Sequence, residues 1–249
     1  LKEPSGMKWN SAARLASPLA LAFVLGACGS GQPATPAPTQ AAATSPDLPV
    51  MGDELRIVAL GDSLFAGYGL EPGQSYPARL EAALRARGLN ARITNAGVSG
   101  DTTAGGLERL DFTLNSLPKP PALVIISLGG NDMLRGLPPE ATRKNLDEIL
   151  GKLKARGIPV VLMGMLAAPN LGTEYRGKFD PIYPALAKNH DAALVPFFLQ
   201  PLLGRPDLVQ ADRIHPTLPG IELMVEATVD KVAGALPKAA NPAAPPNRS

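Results

Sequence analysis

Five short apolar runs alternate, along the middle of the chain, with longer segments that repeat their apolar residues at helical spacing. Two of the runs, 122–128 and 158–164, are almost continuously apolar, which is typical of parallel strands covered on both faces. The pattern therefore predicts five strands, at residues 55–60, 91–94, 122–128, 158–164 and 193–195.

Four apolar stripes predict helices between and after these strands. Ser75 is a candidate N-cap for the first helix, and Pro77 lies in its first turn. Alternating strands and helices indicate an α/β domain with helices on both faces of a parallel sheet. Right-handed crossovers bring the carboxyl ends of all strands to one edge, where we expect the functional site. The stripes are Tyr76, Leu80, Leu84 and Arg87; Leu107, Leu110, Leu114 and Leu117; Thr142, Leu146, Ile149 and Leu153; and Ile221, Val225, Thr228 and Val232.

The amino-terminal part of the 249-residue chain has a different composition. Residues 7–28 combine a basic start, a short apolar run and small residues, which predicts a secretory signal. The apolar run is too short to span a bilayer. Leu25-Gly26-Ala27-Cys28 resembles the bacterial lipoprotein signal, which implies lipidation of Cys28. The alternative is that Cys28, the only cysteine in the sequence, is an ordinary small residue of the signal.

We expect four regions along the chain. Residues 1–28 are an N-terminal extension and lipoprotein-type signal peptide, and residues 29–52 are a Pro/Ala/Thr-rich linker. Residues 53–236 form the folded domain, and residues 237–249 are a disordered Pro/Ala-rich tail. The net charge is +2 without a basic cluster, so we expect no nucleic-acid partner. With two histidines and no cysteine in the domain, we expect no metal site and no cofactor.

Polar, glycine-rich segments follow the first three strands, and another precedes the last helix. Each alone is weak evidence, because glycine, aspartate and asparagine are common in turns. Their convergence on one sheet edge indicates a site. The segments are Gly61-Asp62-Ser63-Leu64, residues 95–101, Gly129-Gly130-Asn131-Asp132 and residues 212–216.

A serine hydroxyl needs a base, and the base needs an acid that orients it. Ser63 is the candidate nucleophile. His190 lies at the predicted end of a helix, where a cation suits the helix dipole, so we interpret it as structural. His215 lies in a loop before a proline and is the candidate base, with Asp212 as its orienting acid.

Three groups are candidate donors to an oxyanion. They are the backbone N–H of Ser63, the backbone N–H of Gly100 and the side-chain amide of Asn131. We interpret Asp62 as a structural partner of neighbouring N–H groups. Ser99 nearly fits the G-x-S-x-G elbow, but an aspartate replaces the second glycine, so we do not predict Ser99 as a nucleophile.

The segments GDSL (61–64), SGDT (99–102), GGND (129–132) and DRIHP (212–216) resemble the four blocks of the SGNH (GDSL) hydrolases. The resemblance covers residues 55–235 and is strongest to the bacterial periplasmic thioesterase/lysophospholipase and arylesterase branch. It implies a flavodoxin-like three-layer α/β/α sandwich with strand order 2-1-3-4-5. It also implies the catalytic and oxyanion roles given above.

The resemblance further implies hydrolysis of carboxylic esters, thioesters or lysophospholipids through an acyl-enzyme on Ser63. Expected partners are such small acyl substrates and, through lipidated Cys28, a membrane. We expect export to the periplasmic side of a bacterial membrane, with the outer membrane as the expected one. Candidate substrate contacts lie in two segments after the predicted third and fourth strands: Met133, Leu134, Leu137, Leu171 and Tyr175.

Three alternatives remain open at this point. The domain could be a binding module that holds a phosphate or flavin at 61–63, although this leaves Asp212 and His215 unexplained. It could instead be a sugar-ester deacetylase of the same superfamily. A non-catalytic surface lipoprotein is the third alternative.

Overall fold

The computed structural model describes residue 50 and residues 52–237. In these residues, five parallel strands form one central sheet. The strand order is β2-β1-β3-β4-β5, so the predicted order is confirmed. Ile57 of β1 is in register with Ile93 on one side and Leu123 on the other. The strands are β1 (Leu55–Gly61), β2 (Ala91–Gly97), β3 (Leu123–Ser127), β4 (Val160–Met163) and β5 (Ala193–Val195).

Helices cover both faces of this sheet, which confirms the predicted three-layer α/β/α class. On one face α2 packs against α8, and on the other α5 packs against α3 and α7. Short 3-10 turns cover residues 169–171, 200–202 and 206–208. The helices are α1 (Ser63–Ala66), α2 (Tyr76–Ala86), α3 (Thr103–Asn115), α4 (Gly130–Leu134), α5 (Pro139–Ala155), α6 (Gly172–Phe179), α7 (Ile182–His190) and α8 (Leu218–Ala235).

The central strands and the four predicted stripes supply the core. Residues 57–60 and 123–126 are fully buried, as expected for strands covered on both faces. Most of the stripe residues are buried, while Leu107 and Leu117 are half-buried. The prediction that Arg87 belongs to the first helical stripe is wrong. Arg87 lies just beyond α2, is exposed and pairs with Asp230.

Local signals set the helix starts. The Ser75 hydroxyl accepts a hydrogen bond from the Ala78 N–H (3.4 Å), as an N-cap does. Thr102 and Thr217 cap α3 and α8 in the same way. Two strand boundaries differ from the prediction by more than one residue. β2 continues to residue 97 because its polar end pairs with residues 59–61, and β4 begins after Pro159, which has no N–H for the ladder.

The predicted signal peptide, Cys28, most of the predicted linker and nearly all of the predicted tail lie outside the described residues. Among the residues that are described, no helix is both long and apolar enough to cross a membrane.

Candidate active site

The end of β1 presents Ser63 at the amino terminus of α1. Asp62 is the residue before this helix, and its Oδ1 accepts a hydrogen bond from the Leu64 N–H (3.0 Å). Gly61 packs so tightly that a Cβ there would lie 2.6 Å from the Phe65 ring. The strand therefore passes directly into the helix, and the hydroxyl of Ser63 lies at the sheet edge.

The loop before α8 brings His215 to this hydroxyl. Nε2 of His215 lies 2.8 Å from Oγ of Ser63, and Nδ1 of His215 lies 2.7 Å from Oδ2 of Asp212. Oδ1 of Asp212 accepts hydrogen bonds from the backbone N–H groups of Ile214 (2.9 Å) and His215 (3.0 Å). The loop itself is fixed where the His215 carbonyl accepts a hydrogen bond from the Gln210 N–H (2.7 Å).

These contacts determine the charge state of Asp212. The hydrogen bond from the His215 side chain, followed by those from the two N–H groups, lowers the pKa of Asp212 to about 2. An ionised Asp212 favours the proton of His215 on Nδ1. Nε2 is then free to accept the proton of the Ser63 hydroxyl, which is the protonation pattern that a general base needs.

Two backbone N–H groups at the site are open. In residues 52–237, neither the Ser63 N–H nor the Gly100 N–H has a hydrogen-bond acceptor. Gly100 has a φ of +82°, a conformation that glycine adopts without strain. Both donors are thus available to a ligand oxygen in the cleft.

The third predicted donor is Asn131, in the first turn of α4. Its Nδ2 donates to the Asp101 carbonyl (2.9 Å) and lies 3.4 Å from Oδ2 of Asp62. The second contact is long, so one amide hydrogen is only weakly held. This hydrogen is therefore available to a ligand oxygen.

Two arginines connect the loops that carry these donors. Nη2 of Arg135 donates to the Gly100 carbonyl (2.6 Å), which ties the end of α4 to the loop after β2. Arg109 donates to Asp101 (2.7 Å) and to the Gly61 carbonyl (2.9 Å), which ties α3 to the end of β1. The three strand ends are therefore held relative to one another.

Two buried carboxylates lie behind the site. Asp62 is 2% exposed, and burial raises its pKa to about 6 despite the hydrogen bond from Leu64 and the nearby His215. Asp132 is 1% exposed and accepts hydrogen bonds from Thr103 N–H (2.8 Å) and from the hydroxyls of Thr103 and Thr142. Asp62 bonds to the N–H of Leu64, which agrees with its predicted structural role.

A cleft of about 460 Å³ opens beside Ser63. Of the predicted substrate contacts, Met133 and Leu134 line it. The cleft is not lined by the other three, Leu137, Leu171 and Tyr175. The Tyr175 hydroxyl donates a hydrogen bond to the Leu137 carbonyl (3.0 Å). The Tyr175 ring stacks on Phe179 instead, and Leu171 packs against the core. The apolar lining consists of Leu64, Met133, Leu134, Met165, Leu199 and Ile214.

Sequence reasoning missed several lining residues. Tyr68 is 53% exposed, and its ring centroid lies 4.4 Å from that of His215. An aromatic residue between two glycines, five positions after Ser63, was the available signal. Met165 and Leu199 follow β4 and β5, so the rule that strand ends form the site would have found them.

Ser99 and His190 are the two residues that we did not predict to be catalytic. Ser99 lines the cleft, but in the described part of the chain no histidine lies within hydrogen-bond distance of its hydroxyl. His190 ends α7, and its Nε2 lies 2.6 Å from Oδ1 of Asp147, in a pocket with Ile158 before β4.

A hydroxyl, an imidazole and a carboxylate in series, beside open N–H groups at the edge of a parallel sheet, are typical of serine hydrolases. Residues 59–223 match the GDSL-like Lipase/Acylhydrolase family. The chain belongs to this family, and the predicted class, an SGNH-type ester hydrolase, is confirmed.

Similar proteins of named function agree with this class. The chain is 43% identical to esterase TesA of Pseudomonas aeruginosa over 162 residues, which is 65% of this chain and 80% of that protein. It is 39% identical to thioesterase 1/protease 1/lysophospholipase L1 of Escherichia coli K12 over 160 residues, 64% of this chain and 74% of that protein. The crystal structure of AlinE4, an SGNH-hydrolase family esterase, is 60% identical, with a TM-score of 0.64, and covers 76% of this chain and 100% of its own.

Proposed function

We propose that this protein hydrolyses carboxylic esters and thioesters through an acyl-enzyme on Ser63, with His215 as general base and Asp212 as its orienting acid. The observation that carries the proposal is the pair of contacts on one imidazole, 2.8 Å to the Ser63 hydroxyl and 2.7 Å to the Asp212 carboxylate. Named relatives that are an esterase, an arylesterase and a thioesterase/lysophospholipase support the same chemistry.

In the acylation step, Oγ of Ser63 attacks the acyl carbonyl carbon, and its proton passes to Nε2 of His215. When the tetrahedral intermediate collapses, His215 gives this proton to the leaving oxygen or sulfur. Water then attacks the acyl-Ser63 ester, and His215 takes and returns a proton in the same way. The ionised Asp212 stabilises the imidazolium that forms in each step.

The negative oxygen of each intermediate needs donors that are already in place. The open N–H groups of Ser63 and Gly100 and the side-chain amide of Asn131 would fill this role. The arginine contacts to Gly61 and Gly100 keep these donors from shifting as charge develops.

The cleft supports an acyl group of small to medium size. Its walls near Ser63 are apolar side chains, which favour a hydrocarbon chain by removing it from water. Leu134 is more than half exposed at the cleft and would lose this exposure on substrate binding.

A fluorophosphonate probe tests the nucleophile directly. The probe should form one covalent adduct, which peptide mass spectrometry should place on Ser63. Ser63→Ala should abolish labelling, while Ser99→Ala should label at the wild-type rate. Labelling at another residue, or none with folded protein, would contradict the proposal.

We further propose that the protein is exported and anchored to a membrane by a lipid on Cys28. The lipoprotein-type sequence at residues 25–28 supports this. Expressed in a bacterium fed an alkyne-tagged fatty acid, the wild-type chain should carry the tag and sediment with membranes. Cys28→Ser should do neither. A wild-type protein without the tag would contradict lipidation and leave the hydrolase proposal untouched.

A further inference from the structure

Arg213 adopts a backbone conformation that is unusual for its residue type. It has a φ of +60°, and in residues 52–237 only Asp191 shares a positive φ among the non-glycine residues. The turn between Asp212 and His215 requires this conformation, because Asp212 accepts hydrogen bonds from the backbone N–H groups of Ile214 and His215. Glycine or asparagine would meet the requirement at less cost than arginine. A strained residue at a functional site points to a role for its side chain.

The side chain of Arg213 has no polar partner among the residues that the structure describes. Within residues 52–237 its guanidinium makes neither an ion pair nor a hydrogen bond, and the residue is exposed. The nearest acid in sequence, Asp212, is already bound to His215 and two N–H groups. The acid in the neighbouring turn, Asp207, pairs with Arg205 (2.9 Å). No acidic side chain in the described part of the chain therefore neutralises the positive charge of Arg213.

Arg213 lies between two cavities. It lines the cleft that contains Ser63, and it also lines an open groove of about 630 Å³ that Leu203, Arg205 and Pro206 help to form. The lining of this groove includes two arginines and no acid. By contrast, the lining of the cleft that contains Ser63 includes several apolar side chains, among them Met133, Leu134 and Met165.

The chemistry of the site tells which part of a substrate meets Arg213. His215 protonates the leaving group, so the leaving group lies on the His215 side of Ser63. Arg213 is two residues from His215 on the same loop. A planar guanidinium binds phosphate and carboxylate oxygens with paired hydrogen bonds.

We propose that Arg213 and the groove form a leaving-group subsite for substrates whose leaving group carries a phosphate or carboxylate. Arg213 is then a specificity-determining residue that favours such anionic esters over neutral ones. The proposal rests on the proposed function and adds a substrate class to it.

Two matched ester pairs test the subsite. The first pair is the hexanoyl ester of glycerol 3-phosphate and that of glycerol, which differ only in the phosphate. The second is the hexanoyl ester of 4-hydroxybenzoate and that of 4-hydroxybenzamide, which differ in the carboxylate. The measured quantity is the ratio of kcat/KM for the anionic ester to that for the neutral ester. Because each ratio is compared between variants, intrinsic differences in reactivity cancel.

Arg213→Gln should lower the ratio about fivefold to tenfold in at least one pair, and the pair affected identifies the anion that is recognised. Arg213→Gly, which removes both the charge and the backbone strain, should lower the ratio equally. Arg213→Lys should retain part of the preference for the anionic ester. The wild-type ratio should fall as NaCl is raised, and the Gln variant should lose this dependence. Lys119→Gln removes an exposed charge shortly before β3, at the opposite sheet edge, and should leave both ratios unchanged.

An unchanged ratio for Arg213→Gln in both pairs would overturn the subsite while neutral-ester hydrolysis leaves the proposed function intact. Folded wild-type protein that hydrolyses none of the four esters would overturn the proposed function, and the subsite with it.

Discussion

Nε2 of His215 lies 2.8 Å from Oγ of Ser63, although the two residues are 152 positions apart in the chain. Ser63 follows the central strand, and His215 lies in the loop before the last helix. α8 packs on α2 and also contacts β4 and β5, and the bond from Gln210 to the His215 carbonyl fixes the loop. The contact is therefore a product of the whole sheet and of its helical cover.

Asn131 distinguishes a catalytic donor from a turn residue. Asn131→Ala should lower kcat by about 10²–10³ with KM nearly unchanged, because an oxyanion donor acts mainly on the transition state. Asn131→Asp should be worse at neutral pH, since its carboxylate would oppose the oxyanion and lie near Oδ2 of Asp62, now 3.4 Å from Nδ2. Steady-state kinetics with an aryl ester measures both variants.

Circular dichroism and thermal melting of the two Asn131 variants provide the control for folding. A turn-forming asparagine would give the reverse order, because aspartate serves well in turns and alanine does not. Higher activity in Asn131→Asp than in Asn131→Ala would remove Asn131 from the oxyanion hole.

Asp132 should matter for stability. Its buried carboxylate joins the start of α3, through Thr103, to α5, through Thr142. Asp132→Ala should lower the free energy of unfolding by about 2–4 kcal/mol, since buried donors lose their acceptor. Urea denaturation measures this. Asp53→Ala, at an exposed position, serves as the control. A loss as small as that of the control would show that the Asp132 bonds contribute little.

The burial of Asp62 should make stability depend on pH. Its pKa is raised from 3.8 to about 6, so the folded protein binds this proton more tightly than the unfolded chain does. The contribution of Asp62 to stability is thus fully present below pH 4 and is lost as the pH rises through 6. When the pH is lowered from 7 to 4, the free energy of unfolding of the wild type should rise by about 2 kcal/mol relative to that of Asp62→Asn.

Urea denaturation of both proteins across this pH range tests the sign as well as the size. Asp53→Asn, which removes an exposed acid, should track the wild type. If the difference between wild type and Asp62→Asn were constant from pH 4 to 7, or grew with rising pH, the carboxylate of Asp62 would not be held in a desolvated environment.

The sheet and the polar site residues could be predicted from sequence because they follow local rules. Apolar runs mark buried strands, and the residues after Gly61 and Gly129 meet at one edge because all strands are parallel. The cleft wall follows no such rule. Met133 and Tyr175 both lie in segments that follow a strand, and Met133 lines the cleft. The Tyr175 hydroxyl instead donates a hydrogen bond to the Leu137 carbonyl, and the Tyr175 ring stacks on Phe179.

The conformation and location of Arg213 could not be predicted from the sequence for a similar reason. Its positive φ follows from the two hydrogen bonds that Asp212 accepts, and its position between two cavities follows from tertiary packing. The sequence showed only an arginine next to a predicted catalytic histidine.

The coupling between Ser63 and His215 in catalysis tests the central claim most directly. Single-turnover or steady-state kcat values are needed for Ser63→Ala, His215→Ala and the double variant. Each single change should lower kcat by about 10⁴–10⁶, and the double variant should be little worse than either, because the two side chains act as one unit. Losses that multiply in the double variant would contradict a nucleophile activated by this histidine.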